Sequence, residues 1–383
     1  MNARRGLQVG AGYPVRTPTL DIAEVGAGGG SIFWVDEGGA PRVGPRSAGA
    51  APGPACYGAG GTEPTLSDAA LVLGYLNPQR IGGGTQAIDP RLAEEALAKV
   101  AARLGIGLRE AAHGAYVIAI ANMTRLLKAV TTERGRDPRD STLVAFGGAG
   151  PAYAAALAAE LGIGEVIVPC GAGLFSAVGL LAADPSHDLV QPYLEHGIEA
   201  SRVEAVLREL EGRLVEQLAA DGYERSTIEL SRSAEMRYQG QKGTLRIAIG
   251  SGTFGERERE DLLDRLEQEH FRTNRHRKAR DAAAIASLRV RAVCRTRRPN
   301  PLAAFASALR SGGQETAGGR REVYFGPSSG ALDTPVLGRH ELEARPRPGP
   351  LLVEEMDTSI VVPPGASARL DELGDVVIRL GGR

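Results

Sequence analysis

Cysteine is scarce in this sequence. Its three cysteines, Cys56, Cys170 and Cys294, are scattered over 383 residues, and none belongs to a CxxC pair. This spacing argues against a zinc ribbon, and an odd, scattered set fits poorly with a disulfide framework. The composition therefore predicts a protein of the reducing cytoplasm.

Net charge and long apolar runs are also lacking. The formal net charge is −1, so no overall field attracts nucleic acid or an anionic membrane. Residues 1–12 lack the apolar centre of a secretory signal, and the longest apolar stretch, residues 152–161, is too short to span a bilayer. We therefore expect a soluble protein with neither nucleic acid nor membrane as partner.

Glycine, in contrast, is abundant and clustered. The chain has 51 glycines, with dense groups at residues 26–30, 58–61, 82–84 and 147–150. Each group lies between apolar segments, which is typical of tight turns and close backbone approaches and not of a flexible linker.

Hydrophobic periodicity predicts alternating helices and strands in the first half of the chain. Asp89 and Gly105 are expected to cap the two ends of a helix. The order helix, strand, loop, helix, strand indicates an α/β arrangement with a parallel strand pair. The predicted elements are helices at 89–105, 108–133 and 151–162 and strands at 142–146 and 165–168.

The pattern changes after Asp188 and becomes that of an α+β domain. Ser201 and Glu204 are spaced as a capping box at the start of a helix. A hairpin, a charged helix and a further strand follow, predicted at 227–249, 257–271 and 285–295. We therefore expect two domains, residues 1–195 and residues 196–383.

The sequence FGGAGP, residues 146–151, is the strongest candidate binding motif from the residues alone. Glycines allow a ligand close to the backbone, and the next helix would present free N–H groups and a partial positive charge. A tight strand-to-helix connection would explain the same residues, and the motif is neither GxGxxG nor a Walker A loop. The candidate nucleotide contacts are Gly147, Gly148, Ala149 and Gly150.

A second glycine cluster, GAGGGS at residues 26–31, follows an apolar run. Consecutive backbone N–H groups in such a loop can bind an anion, although a glycine-rich bend would look the same. The candidate contacts here are Gly28, Gly29, Gly30 and Ser31.

Three carboxylates near these loops, Asp21, Asp36 and Asp68, are candidates to position Mg²⁺ through water. A role in a turn or as a helix cap would explain each of these residues as well. For Asp68 the cap is the direct alternative, because this residue opens an alanine- and leucine-rich helix.

Cys56 lies in a proline- and glycine-rich loop. It could be a nucleophile only beside a base or a positive charge, and a buried inert thiol is the alternative.

Seven segments together resemble one known family, the hydantoinase A/5-oxoprolinase family. That family also includes the ATP-using subunits of acetone and acetophenone carboxylases. The matching segments occur in order along nearly the whole chain: PTLDI (18–22), GAGGGSIFWVD (26–36), VGPRSAGAAPGPACYGAGGTEPTLSDAALVLG (43–74), RGRDPRDSTLVAFGGAGP (134–151), GLFSAVGLLAAD (173–184), SAEMRYQGQ (233–241) and RPGPLLVEEMDTSIVVPPG (347–365).

The resemblance implies part of an actin-like (sugar kinase/Hsp70) ATPase core at 1–195, followed by an α+β domain of hydantoinase A type. In that fold FGGAGP is the adenosine-side motif, and ATP with Mg²⁺ is the expected cofactor. The implied reaction phosphorylates the oxygen of a cyclic amide such as a hydantoin or 5-oxoproline, which supplies a good leaving group. Asp21 and Asp68 are then the candidate catalytic carboxylates.

The sequence also departs from the family pattern. Members typically carry a DxGGTFTD-like and a GGTSTD-like phosphate loop, and neither occurs in these residues. Tyr153 stands where the family often has histidine after GAGP. HFRTNRHRKARD (270–281) replaces a histidine- and glycine-rich signature. We therefore expect a truncated chain whose phosphate loops lie on another polypeptide or on an upstream segment.

The sequence is compatible with three functions. The chain could belong to an ATP-dependent cyclic amidohydrolase, with a hydantoinase B-like subunit and an oligomeric assembly as the family implies. It could instead be the ATP-using subunit of an acetone- or acetophenone-type carboxylase. The third alternative is an inactive scaffold that keeps only assembly surfaces.

Overall fold

The structure, a computed structural model, describes residues 22–81, 86–193, 197–241, 243–295 and 318–381. The helices within these ranges are α1 (Leu66–Val72), α2 (Pro90–Leu104), α3 (Leu108–Val130), α4 (Gly150–Leu161), α5 (Phe175–Ala182), α6 (Ala200–Ala220) and α7 (Glu256–Asn274).

The strands begin in the first half of the chain and are densest near its end. They are β1 (Ser31–Val35), β2 (Pro41–Ser47), β3 (Arg80–Ile81), β4 (Gln86–Ala87), β5 (Leu143–Val144), β6 (Glu165–Val168), β7 (Ser186–Pro192), β8 (Ile228–Tyr238), β9 (Leu245–Ile249), β10 (Ala283–Cys294), β11 (Gly319–Tyr324), β12 (Ala331–Gly338), β13 (Arg347–Pro348), β14 (Leu351–Glu354), β15 (Ser359–Val362), β16 (Ser367–Leu370) and β17 (Val376–Arg379).

Two compact units divide the chain. The larger unit contains residues 23–182 and 299–383, and the smaller unit contains residues 183–298 together with residues 1–22. The smaller unit therefore interrupts the larger one in sequence. This division differs from the expected single boundary at residue 195, because the last strands of the chain pair with strands from its first half.

The larger unit contains two main sheets, of orders β13-β16-β17-β6-β5 and β11-β12-β14-β15. Strands β5 and β6 pair in parallel, and β17 pairs antiparallel to β6 on its other side. Helix α3 packs closely on its neighbours because Ala111, Ala115 and Ala119 are fully buried along one face. Helices α1 to α4 and both sheets share one apolar core.

The smaller unit has its own core under a four-stranded antiparallel sheet of order β7-β10-β8-β9. Helix α6 buries a stripe at helical spacing, Val203, Leu207, Leu210, Leu214 and Leu218, against this sheet. Helix α7 buries Leu262 and Leu266 in the same core. This part of the chain is α+β, as the sequence predicts.

The first-half elements match their predictions closely. Helix α2 is capped by the Asp89 side chain, which accepts a hydrogen bond from the Arg91 N–H, and it ends at Gly105 with φ +68°. Helix α4 ends at Gly162, and β6 covers the predicted residues 165–168. Strand β5 is shorter than predicted because the chain turns into the 147–150 loop soon after Val144.

One predicted cap is wrong. Helix α6 starts at Ala200 after Glu199, and no side chain caps it. Glu204 cannot close a capping box because its carboxylate accepts hydrogen bonds from Phe254 N–H (2.8 Å) and Arg232 (3.0 Å). Arg232 is nearly buried and also pairs with Glu211, so Glu204 joins a buried ionic network that outcompetes the local cap.

Within the described ranges, no helix is both long and apolar enough to cross a lipid bilayer.

Candidate functional site

The FGGAGP segment forms a turn at the end of the parallel strand pair. Ala145 N–H still bonds the Ile167 carbonyl (2.9 Å), and Gly147 N–H then bonds the Ala172 carbonyl (2.8 Å). Gly147 has φ +83°, a left-handed conformation that favours glycine. The loop of residues 147–150, hereafter the second glycine loop, thus leads from the sheet edge directly into helix α4.

Helix α4 presents an uncapped N-terminus at this loop. Ala149 is the cap residue, and no side chain bonds the first N–H groups of the helix. Pro151 lies in the first turn, where its missing N–H costs no hydrogen bond. The Ala152 N–H bonds the Ala149 carbonyl (3.1 Å), so this end of α4 offers the Gly150 N–H and a partial positive charge to a ligand.

A distant hairpin holds the second glycine loop in place. Strands β14 and β15 are joined by a tight turn in which Glu355 N–H donates to the Thr358 carbonyl (2.9 Å). The Thr358 hydroxyl lies 3.2 Å from the Gly147 carbonyl oxygen and 3.1 Å from that of Gly148. The loop carbonyls therefore bond to protein, whereas the N–H groups of Gly148, Ala149 and Gly150 have no backbone acceptor among the described residues and are available to a ligand.

Two aromatic side chains lie beside the same loop. Phe146 and Phe175 have ring centroids 5.4 Å apart, and Phe146 is 47% exposed. An exposed ring next to a glycine loop can stack on a planar ligand. No sequence motif pointed to Phe175 or Thr358 as site residues, although each lies in a segment that carries the family resemblance.

The first glycine loop, residues 26–31, is closed by its own serine. The Ser31 hydroxyl donates to the Gly26 carbonyl (3.1 Å) and accepts from Gly28 N–H (2.9 Å). No described residue accepts a hydrogen bond from the N–H of Gly29 or Gly30. A cleft of about 430 Å³ lies over this loop and is also bordered by Glu24, Pro45 and Ser47.

Asp68 is fully buried behind this loop and acts as a cap. Its carboxylate accepts from Thr65 N–H (2.7 Å), Thr65 hydroxyl (2.8 Å) and Cys56 N–H (2.8 Å), with Ala55 N–H at 3.3 Å. Thr65 and Asp68 form the capping box of α1. The geometry supports the capping alternative, and the catalytic assignment of Asp68 stays a prediction.

Cys56 is completely buried against the same carboxylate. Burial, together with the neighbouring Asp68 charge, raises the pKa of the Cys56 thiol. A thiol held in its protonated form is a poor nucleophile, so the environment is that of an inert cysteine.

The other carboxylates form no metal centre in the described part of the chain. Asp36 closes the β1–β2 hairpin by accepting from Ala40 N–H and from Arg42, both at 2.8 Å, and these bonds lower its pKa. Asp21 lies outside the described residues. In the ranges that the structure covers, no three His, Cys, Asp or Glu side chains gather where they could ligate a metal ion.

The structure brings the sequence candidates together in two groups. Gly29 accepts a hydrogen bond from Ser67 N–H (2.9 Å), which places the first loop against the helix of Asp68. The second loop joins the β14–β15 hairpin instead. Among described residues, no hydrogen bond links the two glycine loops.

Tyr153, which stands at the frequent histidine position, lies inside the core. It is 3% exposed and stacks on Tyr116 with ring centroids 5.1 Å apart. Burial raises the pKa of Tyr153, so this side chain is a packing residue and not a proton carrier.

Two family models match the chain almost end to end. The hydantoinase/oxoprolinase model matches residues 2–189, and the hydantoinase/oxoprolinase C-terminal domain model matches residues 195–375. The change of model falls near residue 195, whereas the compact units divide the chain near residues 182 and 298.

Known relatives are similar over nearly the whole chain. Caprolactamase subunit alpha of Pseudomonas jessenii is 32% identical over 94% of the chain and 52% of its own length. Acetophenone carboxylase gamma subunit of Aromatoleum aromaticum is 32% identical over 96% of the chain and 52% of its own length. The chain thus spans about half the length of these relatives.

The fold is also that of a solved relative. A crystal structure of ATP-dependent caprolactamase from Pseudomonas jessenii superposes with a TM-score of 0.78 at 31% identity, covering 92% of this chain and 52% of that one. This likeness confirms the expected mixed α/β fold class.

Proposed function

This chain belongs to the hydantoinase/oxoprolinase family, and from that premise we propose that it supplies the nucleoside side of the ATP site in an ATP-dependent cyclic amide hydrolase. Relatives of the chain include an ATP-dependent caprolactamase. A hydantoin or 5-oxoproline ring is the proposed substrate class.

One observation carries the proposal. The second glycine loop is anchored through its carbonyls to Thr358 and opens into the uncapped N-terminus of α4. A backbone anchored in this way is preorganised for a ligand, so little ordering entropy is lost on binding. The residues present therefore fit the nucleoside part of ATP.

Bound ATP would supply a phosphoryl group that turns an amide oxygen into a leaving group. In this chain, Gly147, Gly148, Ala149 and Gly150 provide the close backbone surface, and the exposed ring of Phe146 covers one side of it. The N–H groups of Gly29 and Gly30 are proposed to bind an anionic group at the first loop.

The phosphate side is proposed to come from polypeptide outside these residues. Among the described residues, Asp68 and Asp36 are already bonded internally, and no three His, Cys, Asp or Glu side chains gather where they could ligate a metal ion. Large apolar side chains beside the second glycine loop are exposed, and exposed patches of this kind mark binding surfaces. They include Val144, Phe146, Leu174 and Met356.

Nucleotide binding tests the proposal directly. ADP binding is measured by calorimetry and by saturation-transfer NMR, which detects weak complexes. Gly147→Ala is expected to weaken ADP binding about tenfold or more, because a left-handed alanine strains the loop by about 1 kcal/mol and its methyl group occupies the ligand surface.

Gly105→Ala is the matched control. Gly105 also has positive φ, and as at Gly147 no atom lies within 4 Å of an added Cβ, but it ends helix α2 away from the loop. This variant should lose similar stability and bind ADP normally. Absence of ADP binding by the unaltered protein, or equal losses in both variants, would refute the proposed site.

A carboxylase role is the second candidate, favoured by the similarity to the acetophenone carboxylase gamma subunit. The two reactions consume ATP with different co-substrates. ADP release by the assembled complex should be stimulated by a cyclic amide under the first proposal, and by a ketone with bicarbonate under the second. Co-purification of a B-type subunit tests the proposed oligomeric partner.

A further inference from the structure

The tip of the β14–β15 hairpin places one carboxylate beside the second glycine loop. Asp357 lies immediately before Thr358, whose hydroxyl bonds the carbonyls of Gly147 and Gly148. The backbone carbonyl of Asp357 would lie 3.5 Å from a Cβ on Gly148. The hairpin tip therefore touches the loop that forms the proposed nucleoside site.

A second glycine makes room for this side chain. A Cβ on Gly173 would lie within 2.6 Å of both Cβ and Cγ of Asp357, far closer than two carbon atoms can approach. The Asp357 side chain can hold its position only because residue 173 has no side chain. Gly173 leads into Phe175, whose ring packs beside Phe146.

The Asp357 carboxylate has acceptor capacity left over. Among the residues that the structure describes, none donates a hydrogen bond to it or pairs with it ionically, and it is partly exposed. The two other carboxylates of this hairpin are paired with arginine. Glu355 forms an ion pair with Arg339, and Glu354 forms one with Arg321. A carboxylate that has no partner among the described residues and lies beside the proposed nucleoside site can accept from the donors that a nucleoside offers.

We propose that Asp357 is a specificity residue that accepts hydrogen bonds from the ribose hydroxyls of the bound nucleotide. This inference rests on the proposed nucleotide-binding function. Two carboxylate oxygens can accept from two vicinal hydroxyls at once, and hydrogen bonds to a charged acceptor are the stronger kind. The carboxylate would thus select ribonucleotides and fix the orientation of the ribose over the loop.

The test compares ADP with 2′,3′-dideoxy-ADP, which has no ribose hydroxyl to donate. Asp357→Asn keeps the shape of the side chain and removes its charge, so it is expected to weaken ADP binding about tenfold. The same substitution should change the affinity for 2′,3′-dideoxy-ADP less than twofold. Asp140→Asn, an exposed carboxylate of the same unit, serves as the control and should change neither affinity.

The outcomes separate this inference from the function on which it rests. Equal ADP affinity in Asp357→Asn and the unaltered protein overturns the role of Asp357 and leaves the nucleotide site standing. An equal loss for both nucleotides overturns the ribose assignment, because the carboxylate then acts on the base or through the loop. No ADP binding by the unaltered protein overturns both proposals. Thermal melting of each variant shows whether it is folded.

Discussion

Individual residues decide the local chemistry, and Asp68 is the clearest case. Its buried carboxylate accepts from donors on two segments that are separate in sequence, Cys56 and Thr65. Removing it with Asp68→Ala leaves those buried donors unsatisfied, and we expect a loss of about 3 kcal/mol in the free energy of unfolding. Urea unfolding measures this loss.

Asp89→Ala is the comparison for that experiment. Asp89 also caps a helix, but its carboxylate is partly exposed and, among the described residues, accepts hydrogen bonds from Arg91 alone, so water can replace it. The loss at Asp89 should be clearly smaller. Equal losses at the two positions would contradict the structural role assigned to Asp68.

His270 predicts the pH dependence of stability. It is 1% exposed, packs on Tyr238, and lies with Nε2 2.9 Å from the Gln241 amide nitrogen and Nδ1 3.1 Å from the His276 carbonyl oxygen. These contacts suit a neutral ring that donates from Nδ1 and accepts at Nε2. Burial lowers the pKa of His270.

The unfolded chain therefore binds more protons at His270 than the folded chain in the pH window just below about 6.5, the ordinary histidine pKa. Stability should be complete above that pH and fall as the pH drops through it. We expect His270→Asn to lose less stability than the unaltered protein between pH 7.5 and 5.5 in urea unfolding. An unchanged slope for His270→Asn would contradict the prediction.

Among individual residues, helix caps were easier to predict from the sequence than side-chain contacts between distant residues. Asp89, Gly105 and Gly162 were predictable because a cap depends on residues close in sequence. The capping box at Ser201 was wrong because Glu204 is taken by Arg232, a partner 28 residues away. No local pattern reports that competition.

Among the elements, the β14–β15 hairpin has the largest consequence for the site. Thr358→Val removes the hydroxyl that bonds the carbonyls of Gly147 and Gly148. We expect the free energy of unfolding to fall by about 1–2 kcal/mol. Hydrogen exchange in residues 146–150 should become faster, and ADP binding should become weaker. Exchange measured by mass spectrometry reports on the loop directly.

Thr334→Val is the matched control within the same sheet. Thr334 is fully buried, and its hydroxyl bonds the Leu332 carbonyl two residues away (3.0 Å). This variant should leave exchange at residues 146–150 unchanged. If Thr334→Val loosens the loop as much as Thr358→Val, the hairpin does not anchor the loop.

The elements themselves were largely predictable, whereas their partners were not. Periodicity predicted α2, α6 and α7 because each buries one apolar stripe. Helix α4 is buried on almost every side and was predicted from Pro151 at its start and Gly162 at its end. That the hairpin at residues 351–362 reaches a loop some 210 residues earlier depends on tertiary packing. Both segments carry the family resemblance, but the resemblance did not predict that they touch.

On the scale of the whole molecule, the two compact units make different predictions from the single boundary at residue 195. A fragment of residues 183–298 retains all four strands of the smaller sheet and its core. We expect it to fold alone, with a cooperative melt by circular dichroism.

A fragment of residues 196–383 should fold poorly in the same assay. It lacks β7, which pairs with β10 over seven residues, and it leaves β17 without its partner β6. A cooperative melt of this longer fragment, with the shorter one unfolded, would favour a boundary near residue 195 instead.

The interruption of the larger unit by the smaller one has a consequence for biosynthesis. Domains fold as units while the chain emerges from the ribosome. The smaller unit is complete by residue 298, whereas the second glycine loop acquires its anchor only when Thr358 has been made, and β6 acquires β17 later still. A message that ends prematurely after residue 300 would therefore yield a chain in which the smaller unit is folded and the second glycine loop lacks its anchor.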